Sequence, residues 1–568
     1  MGAESQKPLI IQSDQTILVE VNNPLYFEVR DRLLTFAELE KSPEFIHTYR
    51  ITPISLWNAA SAKINSDQIV NFLHHYSRYP VPQNIEYLIK DQMSRYGKLQ
   101  LTQHKLKFDF LVLSSDDALL IEEIWNIRAI QPFLTQRIDE QQLLIQKFHR
   151  GRLKQALAKV GYPVEDLAGY IDGDPLRIVL REMSLAGKPF SLRNYQQESM
   201  DIFYAGGTER GGSGTIVLPC GAGKTMVGMG IMSLLNSHTL IIVTNITAVH
   251  QWRQELLDKT DLTDALIGEY TGERKVILPV TITTYQMITH RRRKEDDFRH
   301  FKIFTSHNWG LIIYDEVHLL PAPVFRVTSE IQARRRLGLT ATLVREDGHE
   351  SDVFSLIGPK KYDIPWKDLE RRGWIAKAEC IEIRCDLPEE LRYEYATLPL
   401  RRKYRLAAEN PEKFKAVQVL LKKHKNDQIL IIGHYIQQLR KIAQMVKAPL
   451  ITGQVTNAER DTLYDQFRRS LIPILVVSKV ANFAIDLPDA NVAIQISGTF
   501  GSRQEEAQRL GRILRPKENG KPATFYSVVT KNSRDQDFST HRQLFLTEQG
   551  YKYIIHAFDG QTMDISYL

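Results

Sequence analysis

The sequence predicts an α/β protein built on two parallel-sheet lobes in tandem, preceded by a smaller α+β region. Three observations predict it. Short apolar runs recur from Gly214 onward, each followed by a helical stretch. They fall into two sets, separated by a polar stretch rich in Glu, Arg and Tyr. The residues before Pro189 lack this alternation. Continuous apolar runs between helices suit strands buried on both faces, as in a parallel sheet.

The first set comprises Gly214–Leu218, Thr239–Thr244, Val280–Thr284, Leu311–Tyr314 and Leu337–Leu339. The second comprises Ile429–Ile432, Ile474–Val477, Val492–Ile496 and Thr524–Val529. Between them, 386–412 predicts a small helical insertion. Upstream, Leu9–Gln12 and Thr16–Val21 predict short strands around a polar turn, and Ile54–Ala62 and Ser66–Tyr76 predict helices. Pro80-Val81-Pro82 breaks that pattern. The strand-like Phe108–Leu113 belongs to a second small unit, which closes in the turn-rich Gly161–Pro175. The expected domains are therefore 1–80, 81–186, a first lobe over 187–365 and a second over 366–568.

Composition sets outer bounds. A chain of 568 residues divides into roughly three to four domains of ordinary size. Hydrophobic residues make up 43% and charged residues 25%, the balance of a water-soluble globular protein. The 74 Lys and Arg against 67 Asp and Glu leave a net charge of +7, a mild excess that permits nucleic-acid binding without requiring it. Three cysteines, Cys220, Cys380 and Cys385, do not make a disulfide framework. Cys380 and Cys385 read as strand residues rather than metal ligands, since no His or second Cys pair stands near them. Met1–Gln15 is polar and mixed in charge, unlike a signal peptide, and no apolar run reaches a membrane span. A cytoplasmic location is expected.

The strongest chemical signal is Leu218-Pro219-Cys220-Gly221-Ala222-Gly223-Lys224-Thr225. It follows a predicted strand and precedes an apolar helix, the setting of a phosphate-binding loop. Glycines there let backbone N–H groups close on phosphates; Lys224 reaches the β- and γ-phosphates of ATP, and the Thr225 hydroxyl ligates Mg²⁺. Leu218 stands where the usual pattern has its first glycine. The second signal is Asp315-Glu316-Val317-His318, directly after an apolar run. Carboxylates at a strand end suit Asp315 to the Mg²⁺ shell and Glu316 to orienting and deprotonating the attacking water. The third is Gln508-Arg509-Leu510-Gly511-Arg512-Ile513-Leu514-Arg515. Its arginines recur every three residues. Guanidinium forks suit γ-phosphate charge, and Arg512 and Arg515 are the expected phosphate contacts. For Arg509 a surface salt bridge is an equal reading.

Together with Leu339-Thr340-Ala341-Thr342, these segments resemble motifs I, II, VI and III of helicase superfamily 2. Leu192-Arg193-Asn194-Tyr195-Gln196 resembles its adenine-reading element, which implies nucleotide contacts from Arg193 and Gln196. Gly338–Asp347 resembles the XPB branch, repair and transcription helicases related to a TFIIH subunit, dense from Pro189 to about Lys531. The resemblance implies two RecA-like lobes with ATP and Mg²⁺ in the cleft between them. It also implies a thumb at 386–412, a damage-recognition-like domain at 81–186, for which a folding or docking role is an equal reading, and a duplex-opening role for Arg345, Glu346 and Asp347. Asn245, Thr284, Thr340 and Thr342 are its implied DNA-contacting or duplex-opening residues. Gln508 joins the arginines in the implied catalytic set.

The implied activity is 3′→5′ unwinding of duplex or forked DNA, in nucleotide excision repair or transcription-linked opening, by a monomer with a nuclease as candidate partner. An ATP-gated DNA scaffold without strand separation and an RNA helicase are the alternatives. One departure lies in motif V, where Asn482 and Phe483 stand in place of the usual acidic and hydroxyl residues; Asp486 remains the coupling candidate. Arg291–Lys294 reads equally as a solvated face or a DNA contact, and Trp252 and Trp374 read as core residues ahead of base-stacking ones.

Overall fold

The structure is a computed structural model. It describes residues 7–41, 45–107, 109–170, 172–185, 187–208, 211–290, 299–321, 324, 334–341, 350–478, 490–498, 506, 509–511, 513–514, 522–559 and 563–565. Two compact units divide the chain. One holds 1–38, 44–218 and 223–363, the other 39–43, 219–222 and 364–568.

In the first unit the central sheet has seven strands, ordered Ile267–Tyr270, Val280–Thr284, Thr239–Val243, Leu311–Asp315, Arg335–Thr340, Ser213–Val217 and Lys360–Asp363. All its pairings are parallel. Thr239–Val243 and Val280–Thr284 are buried at every position, which is why their sequences run apolar or β-branched without alternation. Register brings the carboxyl ends of the central strands level: Asp315 pairs with Leu339, Val217 with Thr340 and Val243 with Thr284. In open α/β sheets, that edge is where ligands bind.

The second unit carries an eight-stranded sheet, ordered Leu450–Ile451, Ile474–Ser478, Ile429–Gly433, Val492–Gln495, Ala523–Thr530, Ala378–Cys385, Tyr553–Phe558 and Met563–Ile565. Its pairings are parallel except the last. Ile431, Val476, Ile494 and Val528 meet Val417 and Leu420 of the helix Glu412–Lys423 in its core. The expected insertion is helical, with Glu389–Thr397 and Leu400–Ala408, each begun after a proline. Each unit thus holds one RecA-like lobe. Cys380 and Cys385 lie buried in the Ala378–Cys385 strand, as expected of strand residues.

The N-terminal residues form two further sheets. Leu9–Ile11, Thr16–Glu20, Ile46–Arg50 and Glu38–Lys41 make one. Gln136–Arg137, Gln142–Gln146, Phe110–Ser114, Leu99–Gln103 and Val164–Asp166 make the other. The last of these strands falls inside the stretch expected to be turns; its three residues are too few for alternation to register in the sequence.

Apart from residues 39–41, both sheets sit in the same unit as the first lobe. Asn58 Oδ1 accepts from Lys360 N at 3.0 Å, and Tyr170 OH donates to Ser213 Oγ at 2.8 Å. Beneath Tyr170, Asp166 accepts from Arg150 Nη2 and Lys154 Nζ, each at 2.8 Å, in a buried ion triad.

Candidate active site

The phosphate-loop sequence leaves the Ser213–Val217 strand and enters the helix Lys224–Leu235. Leu218 is fully buried, and its N–H donates to Thr340 O at 3.0 Å, continuing the pairing of the two strands by one residue. A side chain packed into the sheet therefore occupies the position where the common pattern has glycine. Gly223 caps the helix at φ +82, a conformation L side chains rarely adopt, and a Cβ on it would lie 2.4 Å from Gln196 Nε2. The loop carries the glycines a phosphate cradle requires. The helix N-terminus that follows it favours an anion.

At the same sheet edge, Lys224 Nζ lies 2.8 Å from Glu316 Oε1. Glu316 follows the Leu311–Asp315 strand in the left-handed region, φ +50 and ψ +54, a strained turn that directs the carboxylate back toward Lys224. Its other oxygen lies 3.5 Å from Thr340 Oγ1 and 3.5 Å from His318 Nδ1. His318 Nδ1 and Thr340 Oγ1 are hydrogen-bonded at 2.7 Å. Asp315 Oδ2 accepts from Trp252 Nε1 at 2.9 Å, Asp315 Oδ1 from Glu316 N at 3.0 Å, and Asp315 O from Tyr285 OH at 3.0 Å.

Burial pushes the Asp315 carboxyl up to about 6, and the adjacent Glu316 charge adds to the rise. Burial acts on Glu316 in the same sense, but Lys224 and His318 hold it below the ordinary glutamate range. One carboxylate is thus held charged by its cation while its neighbour calls for another. A divalent ion at Asp315 fits that donor set.

The structure brings together Gln196, Gly223, Lys224, Asp315, Glu316 and Thr340 of the expected residues. Gln196 is 3% exposed; its Oε1 accepts from Arg193 N at 2.9 Å, and its amide abuts Gly223. Arg193 Nη1 donates to Tyr195 OH at 3.0 Å. Thr284 ends the Val280–Thr284 strand and Asn245 stands two residues beyond the Thr239–Val243 strand; their side chains cap the helices that follow, accepting from Met287 N and Ala248 N.

Thr340 is fully buried and bonded to His318, so its hydroxyl faces the acidic cluster. One expectation needs correction. Arg509 is also fully buried and donates to Gln495 Oε1, so it makes no surface salt bridge. Gln508, Arg512, Arg515, Thr342, Arg345, Glu346 and Asp347 lie outside the described residues, as do the motif V stretch 479–488 and the basic run 291–294.

Three residues at this edge carry contacts the sequence reading did not assign. Trp252 is buried as a core residue, but its indole N–H also fixes Asp315. The available signal was chemical: a buried indole N–H needs a partner. Tyr285 gave no signal. His318 was visible in the acidic quartet, but its pairing with Thr340 depends on two neighbouring strands. Trp374 is 38% exposed.

Known families match this chain along most of its length. The model of the ERCC3/RAD25/XPB C-terminal helicase matches residues 369–565. That of the type III restriction enzyme res subunit matches 189–345, and that of a helicase conserved C-terminal domain matches 9–139. The DNA 3′-5′ helicase XPB of Mycobacterium tuberculosis is 53% identical over 97% of this chain and 98% of its own length. Its counterpart in Kineococcus radiotolerans is 52% identical over 96% of each. The general transcription and DNA repair factor IIH helicase/translocase subunit XPB/SSL2 of Saccharomyces cerevisiae is 33% identical over 97% of this chain and 72% of its own length. With the lobes, the acidic quartet and these matches in agreement, the chain belongs to the XPB family of DNA helicases.

Proposed function

We propose that this protein is an ATP-driven DNA helicase that moves 3′→5′ and opens duplex or forked DNA in nucleotide excision repair or in transcription. The observation that carries this reading is the Lys224–Glu316 pair, held 2.8 Å apart where the phosphate loop meets the acidic quartet. Lys224 binds the β- and γ-phosphates. Glu316 orients the attacking water and takes its proton. Thr225 and Asp315 hold Mg²⁺, which neutralises charge on the phosphate oxygens when bound. Trp252 fixes the Asp315 carboxylate for that task. Gln196 and Arg193 are the adenine-side contacts.

Arg512 and Arg515 are the proposed γ-phosphate arginines, with Gln508 beside them in sequence; such arginines contribute roughly 10³–10⁵ in rate. Thr342 and the Arg345-Glu346-Asp347 run are proposed for strand contact and duplex opening, and Asn245 and Thr284 for backbone contact. His318 and Thr340 link Glu316 to the strand that leads into that run. Among the described residues no helix is long and apolar enough to cross a membrane. A cytoplasmic monomer with a nuclease partner completes the proposal.

The test is strand displacement with ATP on partial duplexes carrying a 3′ or a 5′ single-stranded tail. Displacement from the 3′ tail alone supports the reading. Displacement only from the 5′ tail, or only from RNA, overturns it.

A further inference from the structure

The second lobe buries a polar chain that the proposed mechanism does not use. It begins at the thumb. Tyr404, on the helix Leu400–Ala408, is fully buried and donates its hydroxyl to Gly498 O. Gly498 lies against the Arg542 guanidinium so closely that a Cβ there would sit 2.4 Å from its Cζ. Arg542, 1% exposed, faces Glu506, 0% exposed, with Nε 3.5 Å from Oε2. Glu506 Oε2 also accepts from Gln495 Nε2 at 2.8 Å, and its Oε1 accepts from Tyr553 OH at 3.2 Å. Gln495 Oε1 in turn accepts from Arg509.

Glu506 and Arg509 belong to the arginine-bearing segment that supplies Arg512 and Arg515. Leu510, Ile513 and Leu514 of the same segment are fully buried. The apolar residues fix depth but not angle, because apolar contact is non-directional. Hydrogen-bonded groups with no water in reach fix direction, and a buried charge pair is costly to disturb on one side only.

We propose that Glu506 and Arg542 are positioning residues for the arginine-bearing segment, and that Tyr404 ties that position to the thumb. The inference rests on the ATP-driven reading above. It adds a route by which a shift of the thumb helix, which no ATP contact requires, alters the rate of hydrolysis. The connection is short: a hydrogen bond from Tyr404 to Gly498, close packing of Gly498 on the Arg542 guanidinium, and the Arg542–Glu506 ion pair. Displacing the Tyr404 hydroxyl moves the Gly498 carbonyl, and the guanidinium stacked on Gly498 cannot stay in place against Glu506 if that backbone moves.

The test uses the full chain. Tyr404→Phe removes the hydroxyl and keeps the ring; Glu506→Gln removes the charge and keeps the shape. ATP hydrolysis is measured with forked DNA, together with KM for ATP and the circular-dichroism melt. For Tyr404→Phe the expected result is a kcat several-fold below wild type, with KM within twofold and the melt unchanged. For Glu506→Gln it is a larger loss of kcat with KM again within twofold and a lowered melt, and Arg542→Lys, which keeps the charge, loses less kcat than Arg542→Gln.

A purely structural role would lower the melt without this split between kcat and KM. Should Glu506→Gln fail to fold, Arg542→Lys against Arg542→Gln decides the positioning role, which equal wild-type kcat in both overturns, and Tyr404→Phe still decides the thumb link. A folded Tyr404→Phe with wild-type kcat overturns the thumb link, and a folded Glu506→Gln with wild-type kcat overturns the positioning role. A wild type without DNA-stimulated hydrolysis overturns the ATP-driven reading itself, and this inference with it.

Discussion

Lys224 Nζ and Glu316 Oε1 stand 2.8 Å apart, with both side chains largely screened from solvent at 13% and 18% exposure. The pair sets two groups of one reaction against each other. Phosphate oxygens that draw Lys224 away deprive Glu316 of its cation and leave its carboxylate more basic, at the point where a base for water is required. Glu316→Gln is expected to lower kcat for hydrolysis by roughly 10²–10⁴, with ATP affinity retained or raised, since a neutral amide holds Lys224 less strongly. Lys224→Ala is expected to lose both affinity and rate. Nucleotide titration beside steady-state hydrolysis separates the two.

Trp252 reaches Asp315 from the helix Ile246–Lys259, which follows the neighbouring strand. Its N–H orients the carboxylate assigned to Mg²⁺. Trp252→Phe keeps most of the packing and removes that bond. The Mg²⁺ concentration for half-maximal hydrolysis is expected to rise about tenfold, as a Mg²⁺ titration at saturating ATP would read.

The Thr340 hydroxyl lies between His318 and Glu316. Thr340→Val leaves the shape and removes the bond, at an expected cost of about 1–3 kcal/mol for a buried polar group left short of a partner. Denaturant unfolding checks the stability. Hydrolysis and unwinding measured together check the coupling: unwinding is expected to fall further than hydrolysis.

The ion triad of the N-terminal region makes stability depend on pH at both ends. Burial works to raise Asp166, but Arg150 and Lys154 outweigh it and hold the carboxyl far below the usual range. Its stabilisation is therefore fully present above the unfolded-state value near 4 and is lost as pH falls through the folded value. Burial pushes Lys154 down to about 8, with Asp166 pulling the other way. Between there and an unfolded value near 10.4, the unfolded chain holds more protons, so stability rises with pH. Melts from pH 7 to 10 are expected to show wild type gaining on Lys154→Met. Asp166→Asn, which strands two buried cations, is expected to lose about 3–5 kcal/mol.

The parallel sheets were legible because their strands are buried on both faces and so run apolar without interruption, as Thr239–Val243 and Ile429–Gly433 do. The phosphate loop and the acidic quartet were legible because their chemistry is local in sequence. What was not legible depends on register. The Thr340 hydroxyl lies beside Glu316 because the neighbouring strands pair Leu339 with Asp315. Arg509 shares its three-residue spacing with Arg512 and Arg515, yet it is bonded to Gln495 on a neighbouring strand. The Tyr404–Arg542–Glu506 chain joins residues far apart in sequence, and no spacing rule would have assembled it.

The most direct test of the central claim compares ATP hydrolysis by wild type and Glu316→Gln, each with no nucleic acid, with forked DNA and with matched RNA. Hydrolysis is expected to rise with forked DNA, to rise less with RNA, and to fall at least a hundredfold in the variant. Hydrolysis indifferent to DNA, or undiminished in Glu316→Gln, would contradict it.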